Sequence, residues 1–491
     1  MRVRLGARWM AMHGLPRAYF AVQARRGDPL ARLLRSGTTG EDRYALMEQI
    51  RARGPLMRAP FVWASVDHAL CRQVLRDKRF GVTSPTEMEL PRPVRALIAR
   101  TDPGVANPVE PPAMVIVDPP DHTRYRQLVA QSFTPRAIEA LNTRVAQVTL
   151  ELIERIATIP QPDLIADFAT RLPVAIIAEI LGMPPDSYPR MLAWGRSGSP
   201  LLDLGIDWRT YRDAIDGLRG VDEYLLAHFH QLRADPHSDN PFGRMAADGS
   251  LTDRELTANA ALIVGAGFET TVNLIGNGIV LLLRHPEQLA LLHDNPDLWP
   301  SAVEEILRIA SPVQMTARTP ACDVDIAGAH IGAGEMVGLF LGGANRDPKV
   351  FSDPTTFDVT RPNAREHLAF ASGIHACLGA ALARIEGATA LRALFENFPR
   401  SAAHRRPATA VADQLARIHP AAGPTRRPQN DFRHDSGLTP GLTKVANQAG
   451  IANLTAATGP AIRLARKVIA VTHREAAHTT SGCALTTCDL Y

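Results

Sequence analysis

The stretch from Thr252 to Leu283 constrains the fold of this chain strongly, because it is long, apolar and contains no proline. Thr252 and Glu255 form a capping-box pattern that predicts a helix start, and a His-Pro pair follows the stretch. A helix of this length measures roughly 48 Å, enough to cross a whole domain. Apolar residues on all its sides fit either a membrane span or a buried central helix. Polar residues within it, such as Glu269 and Asn273, favour the buried helix.

The middle of this helix carries the unusual segment Gly265-Ala266-Gly267-Phe268-Glu269-Thr270-Thr271. Two glycines inside a helix each cost about 1 kcal/mol relative to alanine, so some feature of the fold must offset them. Missing side chains let a flat ligand approach the backbone, and the adjacent acid and hydroxyl offer a route for protons. The alternative is a helix crossing built from small residues, with the glutamate buried and paired elsewhere.

A second informative segment surrounds Cys377, which lies between Gly373 and Gly379 and just before a helical pattern over Leu378 to Phe395. Glycines let the backbone fold tightly beneath a side chain, and a helix start favours negative charge. Both effects predict a lowered thiol pKa, hence a nucleophile or a metal ligand. The alternative is a small apolar residue at a helix start.

The pattern Phe370-x-x-Gly-x-His375-x-Cys377-x-Gly379 resembles the haem-ligand loop of the cytochrome P450 family. The resemblance implies that Cys377 is the axial iron ligand of haem b, with Phe370 and Gly379 at the cofactor. It also implies a mainly helical (α+β) fold, a large helical domain with a smaller β region. Ala371 stands where the family most often has glycine.

Further segments resemble family motifs in the same order along the chain. Four positions resemble those that contact the haem propionates in the family: His122 and Arg126 of a His-x-x-x-Arg pattern, Arg318, and His375. For His122 and Arg126, the alternative is an ordinary solvated helix face. Ala266 and Gly267 would lie over the haem, and Thr270 and Glu269 would relay protons to bound O₂. Glu305 and Arg308, alone an ordinary surface ion pair, would form a structural network with Arg361.

The extent of the resemblance divides the chain into three regions. Residues 41–400 carry the family resemblance, residues 1–40 form an N-terminal extension, and residues 401–491 are a divergent basic tail with 11 Lys and Arg against 5 Asp and Glu. Because the basic excess belongs to this tail, the body is not expected to bind nucleic acid. Five scattered cysteines suit a reduced, cytoplasmic protein.

The N-terminal 28 residues are rich in arginine but contain no long apolar run, so no secretory signal or transmembrane span is expected. Trp9, Met10, Leu15 and Phe20 suggest a weak membrane-surface patch, although a helix that docks on the body is the favoured interpretation.

Several local predictions accompany this outline. Six prolines in residues 91–112 predict irregular structure, Asp121 is predicted to cap a helix, and short strands are expected at Phe61 to Trp63, Val324 to Ile326 and Met336 to Phe340. The family's C-terminal hairpin is not recognisable after Pro399, which indicates a divergent or frame-shifted end. A zinc site at His473, His478, Cys483 and Cys488 is a minor hypothesis, because their spacing of five fits neither a helix face nor a tight knuckle.

The implied function is monooxygenation of a hydrophobic small molecule, with O₂ as oxidant. No flavin- or nicotinamide-binding pattern is visible, so electrons are expected from ferredoxin and ferredoxin reductase. Two alternatives stay open at this point: a peroxide-driven peroxygenase, against which the Glu269–Thr270 pair argues, and a non-catalytic haem-binding protein with a compromised pocket.

Overall fold

The computed structural model describes residues 2–82, 92–202, 205–234 and 240–398 of the 491-residue chain. Helices dominate these ranges: α1 Arg2–Trp9, α2 Leu15–Arg25, α3 Pro29–Thr39, α4 Arg43–Arg51, α5 His68–Arg76, α6 Arg92–Arg100, α7 Asp121–Val129, α8 Pro135–Ala157, α9 Arg171–Ile180, α10 Tyr188–Gly198, α11 Trp208–Ala234, α12 Pro241–Asp248, α13 Asp253–Arg284, α14 Pro286–Asp294, α15 Trp299–Ile309, α16 Leu341–Ala344 and α17 Ala380–Asn397.

The helix predicted from the long apolar stretch is α13, and it lies at the centre of the largest hydrophobic core. Its capping box forms as predicted: the Thr252 hydroxyl accepts the Glu255 N–H, and the Glu255 carboxylate accepts the Thr252 N–H at 2.8 Å. Helices α9, α11, α15 and α17 pack around it. Among the described residues, α13 alone is long and apolar enough to cross a membrane, and 67% of its most apolar window is buried. The prediction of a buried central helix is therefore confirmed.

A smaller β region lies beside the helices. The strands are β1 Met57–Ala59, β2 Val62–Ser65, β3 Phe80–Val82, β4 Thr316–Pro320, β5 Val324–Ile326, β6 Ala329–Ile331 and β7 Val337–Leu339. Five of them form a sheet in the order β1-β2-β7-β4-β3, in which only β2 and β7 are parallel. Strands β5 and β6 form a separate antiparallel pair. The strands predicted at 61–63, 324–326 and 336–340 correspond to β2, β5 and β7.

Two local predictions were wrong. Residues 91–112 are not irregular throughout, because Arg92–Arg100 form α6; Pro93 stands in its first turn, where the missing N–H costs no helical hydrogen bond. Asp121 does not cap α7 but is its first residue, after Pro120. The acid in the first turn still complements the helix dipole.

The first forty residues pack against the rest of the described chain. Leu30 and Leu33 of α3 join a core with Ile50 and Phe340. Leu5 of α1 joins another core with Tyr211 of α11. The expectation of a docking helix at the N-terminus therefore fits this packing.

Candidate active site

The loop around Cys377 is held by backbone contacts. The Cys377 N–H donates to the Phe370 carbonyl oxygen at 2.9 Å. A Cβ at Gly373 would lie 2.1 Å from the Leu75 carbonyl oxygen, and the φ of this residue is +76°. Both facts require glycine there, since only glycine accepts that conformation and so close an approach. Ala371, in the place of the family's usual glycine, has a φ of +56°, which a non-glycine residue adopts less readily.

The helix after Cys377 begins later than predicted. Gly379 is the N-cap of α17, which starts at Ala380, so the cysteine precedes the cap by two residues. Although Cys377 keeps exposed surface, surrounding protein atoms bury its thiol enough to raise the pKa. The Gly379 N–H and the charges of Arg126 and Arg384 act in the opposite direction. The expected lowering of the thiol pKa was therefore wrong for the protein alone, because desolvation outweighs these effects.

His122, Arg126 and His375, which lie far apart in the sequence, meet beside the ligand loop. The rings of His122 and His375 are 4.1 Å apart between centroids. Arg126 donates from Nη2 to the Ala376 carbonyl oxygen at 2.8 Å. One turn of α7 thus places a histidine and an arginine against the two residues that precede the cysteine.

Arg318 approaches the same place from the sheet. It lies in β4 opposite Val82 of β3, and only 5% of it is exposed. Asp118 accepts the Val82 N–H at 3.1 Å and lies 3.5 Å from His375 Nε2. Burial alone would raise the pKa of Asp118, but His375, the Val82 N–H and the charge of Arg318 together lower it. For the Arg318 guanidinium, burial acts in the direction opposite to its effect on Asp118 and lowers the pKa.

The cluster of His122, Arg126, Arg318 and His375 contains more hydrogen-bond donors than acceptors. Burial, His375 and Arg126 lower the pKa of His122 to about 4, so the ring is neutral at pH 7. Its Nε2 is buried and accepts or donates no hydrogen bond within the part of the chain that the structure describes. Arg318 donates only to Thr316 Oγ1 and the Ala317 carbonyl oxygen among the hydrogen bonds found there. A ligand with two carboxylates beside a thiol suits such a donor set, and haem b is such a ligand.

The unusual segment of α13 combines packing and polar functions. A Cβ at Gly267 would lie 2.8 Å from Ile177 Cδ1, so this glycine lets α13 approach α9, as the helix-crossing alternative proposes. A Cβ at Gly265 would meet no atom within 4 Å. Thr270 donates from its hydroxyl to the Ala266 carbonyl oxygen at 2.6 Å, one turn earlier. Such a bond weakens the local helix ladder and is known to bend helices.

Helix α17 connects the ligand loop to this segment of α13. A Cβ at Gly278 would lie 2.6 Å from Leu391 Cδ1, so a glycine permits the close packing of the two helices. Glu386 of α17 forms a side-chain hydrogen bond with Thr271, the neighbour of Thr270. Burial raises the pKa of Glu386 to about 8. Glu386 lies six residues into α17, roughly 9 Å along the axis from its start beside Cys377. The cysteine loop and the Thr270 turn are thus parts of one packed unit.

The predicted network of Glu305, Arg308 and Arg361 forms in the structure. Arg308 donates to Glu305 through Nε at 2.6 Å and Nη2 at 2.7 Å, and all of its side chain is buried. Arg361 Nε reaches the same carboxylate at 3.2 Å. The remaining guanidinium N–H groups donate to backbone carbonyls of residues 345–356. The network therefore fixes α15 to the segment that leads into the ligand loop.

Sequence reasoning missed a second carboxylate, Glu304, which faces the ligand loop. Glu304 is 2% exposed and accepts from Arg384 Nε at 2.7 Å and from His367 Nε2 at 3.0 Å. His367 Nδ1 accepts the Ala369 N–H at 3.2 Å, which leaves Nε2 as the ring nitrogen that donates to Glu304. The Arg384 guanidinium lies 4.6 Å from the centroid of the Phe370 ring. Glu304 thus holds the two groups that flank the loop's phenylalanine.

Comparison with known proteins places this fold and site in a family. The family model "Cytochrome P450" matches residues 227–417. The putative cytochrome P450 140 of Mycobacterium tuberculosis is 46% identical over 398 residues, which is 80% of this chain and 91% of the relative. The vitamin D(3) 25-hydroxylase of Pseudonocardia autotrophica is 37% identical over 373 residues, 74% of this chain and 88% of the relative.

A solved structure of similar fold is P450BioI in complex with hexadec-9Z-enoic acid ligated acyl carrier protein, with a TM-score of 0.67 and 33% identity over 74% of this chain and 94% of that chain. The chain belongs to the cytochrome P450 family. It therefore has the P450 fold, binds haem b, and is an oxidoreductase of the monooxygenase type, as the resemblance predicted.

Proposed function

We propose that this enzyme inserts one atom of O₂ into a hydrophobic organic substrate, with Cys377 as the axial ligand of the haem iron. The observation that carries the proposal is the ligand loop. Its backbone directs a cysteine to the base of α17, beside a buried cluster of donors suited to two propionates. His122, Arg126, Arg318 and His375 would hold those propionates, and Phe370 and Gly379 would contact the ring.

When bound, the haem supplies the reductive activation of O₂, which needs two electrons and two protons. Cys377 as thiolate would hold the iron and donate electron density toward it. Thr270 donates its hydroxyl proton to the Ala266 carbonyl oxygen, so its oxygen lone pairs remain able to accept a hydrogen bond from water. Glu269, the preceding residue, is half-buried and would supply protons to this hydroxyl from the protein. Such a route is needed for O₂ but not for peroxide, which favours the monooxygenase over the peroxygenase.

The electron donors in this proposal are ferredoxin and ferredoxin reductase. Arg72 and Arg76 are exposed on α5, whose Leu75 carbonyl abuts Gly373 in the ligand loop. The side chain of Arg365 is 77% exposed and contacts Glu304, which itself faces the ligand loop, so Arg365 also lies near this loop. Positive charge near the loop suits an acidic electron-transfer protein and would accelerate its association.

The substrate is proposed to be hydrophobic, and the site to operate in the cytoplasm. Gly195 of α10 contacts Phe268 of α13, the residue before Glu269, so α10 and α11 cover this part of α13 with largely apolar contacts. The names of similar proteins mention vitamin D(3), hexadec-9Z-enoic acid and testosterone, which are all predominantly apolar molecules. Apolar walls of this kind would exclude bulk water from the site at which O₂ reacts.

The test is turnover of a panel of apolar compounds with NADPH, ferredoxin reductase, ferredoxin and isotopically labelled O₂. The proposal predicts a substrate-induced change in the haem spin state and one labelled oxygen atom in the product. Turnover with hydrogen peroxide but not with the redox proteins would support the peroxygenase instead. Haem binding without any ligand-induced spectral change or product would support the non-catalytic alternative.

A further inference from the structure

The N-terminal helix has two opposite apolar faces, only one of which is buried by the protein. Helices α1 and α2 are joined by a π-helical turn, Met10–Gly14, so residues 2–25 form one rod of roughly 36 Å. Its inner face carries Leu5, Arg8 and His13, which are buried. The rod is attached to the body at several points along its length.

The attachment of the inner face is polar as well as apolar. Arg8 forms an ion pair with Glu110 and donates to the Ile98 carbonyl oxygen at 2.6 Å. The Trp9 indole N–H donates to the Ile206 carbonyl oxygen at 2.9 Å. These bonds fix the rotation of the rod about its own axis, so they also fix which residues point outward.

The outer face presents a stripe of large apolar side chains. Val3 and Met10 are seven residues apart, as are Leu15 and Val22, and a spacing of seven keeps side chains on one side of a helix. The π turn Met10–Gly14 contains five residues, more than one turn of an α-helix, so Leu15 follows Met10 on the same side and the stripe continues across the turn. The exposed fractions are 87% for Val3, 46% for Met10, 59% for Leu15 and 44% for Val22.

Phe61 extends the same surface. It is 75% exposed and its ring centroid lies 5.1 Å from that of Tyr19 in α2. We call Val3, Met10, Leu15, Val22 and Phe61 the outer stripe. These five account for nearly half of the large hydrophobic side chains that are exposed in the described part of the chain. Four of the five lie on one rod and the fifth lies beside it, unlike the scattered exposure that is normal on a protein surface.

Positive charge surrounds the outer stripe. The first 27 residues contain six arginines and no Asp or Glu. Five of the arginines are exposed: Arg2, Arg4, Arg17, Arg25 and Arg26. On a helical wheel, Arg2 and Arg4 fall on the two sides of Val3, and Arg25 falls beside Val22. A convex apolar ridge with cationic flanks matches the boundary between acyl chains and anionic head groups.

We propose that the outer stripe docks the enzyme on the surface of an anionic phospholipid bilayer. The rod would lie in the plane of the membrane, because its opposite face is bound to the protein and arginines flank the stripe near both of its ends. Apolar insertion and electrostatic attraction act together, and neither alone gives stable binding for so narrow a stripe. Of the four residues that the sequence suggested for a membrane-surface patch, Met10 and Leu15 belong to the outer stripe, whereas Trp9 is bonded to the body.

The test is flotation of the haem-loaded full chain with vesicles of phosphatidylcholine, with and without phosphatidylglycerol. We expect binding only to the anionic vesicles, and its loss at about 0.5 M salt, where the Debye length is only a few ångströms. Leu15→Gln with Val22→Gln should weaken binding roughly tenfold or more, because both side chains lose their apolar contact. Arg4→Gln should weaken it about fivefold.

Matched controls exist on other helices. Leu150 of α8 and Leu291 of α14 are 55% and 42% exposed, so Leu150→Gln with Leu291→Gln removes similar exposed apolar surface without touching the outer stripe. Arg136→Gln removes an exposed charge from α8. The control variants should float like the unmodified protein, and an unchanged haem spectrum shows that every variant is folded.

Three results would overturn the proposal. One is equal binding to neutral and anionic vesicles, or none to either. Another is flotation that the control variants reduce as much as the stripe variants do. The third is a change from dimer to monomer, without lipid, caused by Leu15→Gln with Val22→Gln, which would assign the stripe to an interface between two copies. None of these readouts depends on turnover, so the proposed function is tested separately.

Discussion

Replacing Glu304 by glutamine tests the contribution of the carboxylate that sequence reasoning missed. Burial alone would raise the pKa of Glu304, but hydrogen bonds from His367 and Arg384 lower it from 4.5 to about 2. A shift of that size corresponds to about 3 kcal/mol of folding free energy. Glutamine keeps the shape of the side chain but loses the charge. Its amide N–H₂, itself a donor, would face the donor groups of His367 and Arg384. We therefore expect Glu304→Gln to destabilise the protein by about 2–3 kcal/mol at pH 7.

The assay is thermal and chemical unfolding followed by the haem Soret band. For a folded body of about 380 residues, the unfolding entropy is roughly 0.8 kcal/mol/K, so Tm should fall by about 2.5–4 °C. Because the pKa is lower in the folded state, this stabilisation is complete above the unfolded pKa of 4.5 and is lost as the pH falls toward 2. The difference between the two proteins should shrink over that window.

The matched control is Glu396→Gln, which removes an exposed carboxylate that pairs with Arg392 on α17 at 2.8 Å. Exposed pairs contribute at most about 1 kcal/mol, so Tm should change by about 1 °C or less. The reasoning about Glu304 is refuted if both variants change stability equally, or if the loss in Glu304→Gln is the same at pH 3 as at pH 7.

Three further predictions concern other parts of the structure. Thr270→Ala removes the hydroxyl of the proposed proton route, so the yield of product per NADPH should fall roughly tenfold while peroxide release rises, as peroxide and product assays would show. Arg8→Met leaves the buried Glu110 without its charged partner and should cost about 3–5 kcal/mol in denaturant unfolding, whereas Arg8→Met with Glu110→Leu should recover most of the loss. Gly373→Ala would put a Cβ 2.1 Å from a backbone carbonyl at positive φ, so the purified variant should retain little haem absorbance.

The parts of the fold that sequence predicted correctly are those governed by local rules. The capping box of α13 depends on two residues three apart, and the Cys377 motif on fixed spacings within one loop. The proximity of His122, Arg318 and His375 needed the family resemblance, because no local pattern joins α7, β4 and the ligand loop.

The misses have physical causes of a different kind. Glu304 and Glu305 are adjacent, and a helix turns about 100° per residue, so they serve different partners although the sequence singled out only one. The signal available was a second acid among the apolar residues Val303, Ile306 and Leu307, where a charge is retained only if paired. In α6, proline density suggested irregular structure, yet the position of Pro93 in the first turn made it compatible with helix.

Some predictions lie outside the described residues. They are the C-terminal hairpin expected after Pro399, the basic tail of residues 401–491, and the zinc hypothesis for His473, His478, Cys483 and Cys488. Zinc analysis of the purified full chain tests the last of these. Intact-mass analysis of the native protein tests whether its C-terminal sequence is the one printed.

The carbon monoxide difference spectrum of the reduced enzyme tests most directly whether the sulfur of Cys377 binds the haem iron. The account predicts the red-shifted absorption band of a thiolate-ligated haem in the unmodified protein, and its loss in Cys377→Ala. The exposed Cys322 provides the control, because Cys322→Ala should leave the band unchanged. A thiolate band that persists in Cys377→Ala, or that is absent from the well-folded unmodified protein, would contradict the assignment.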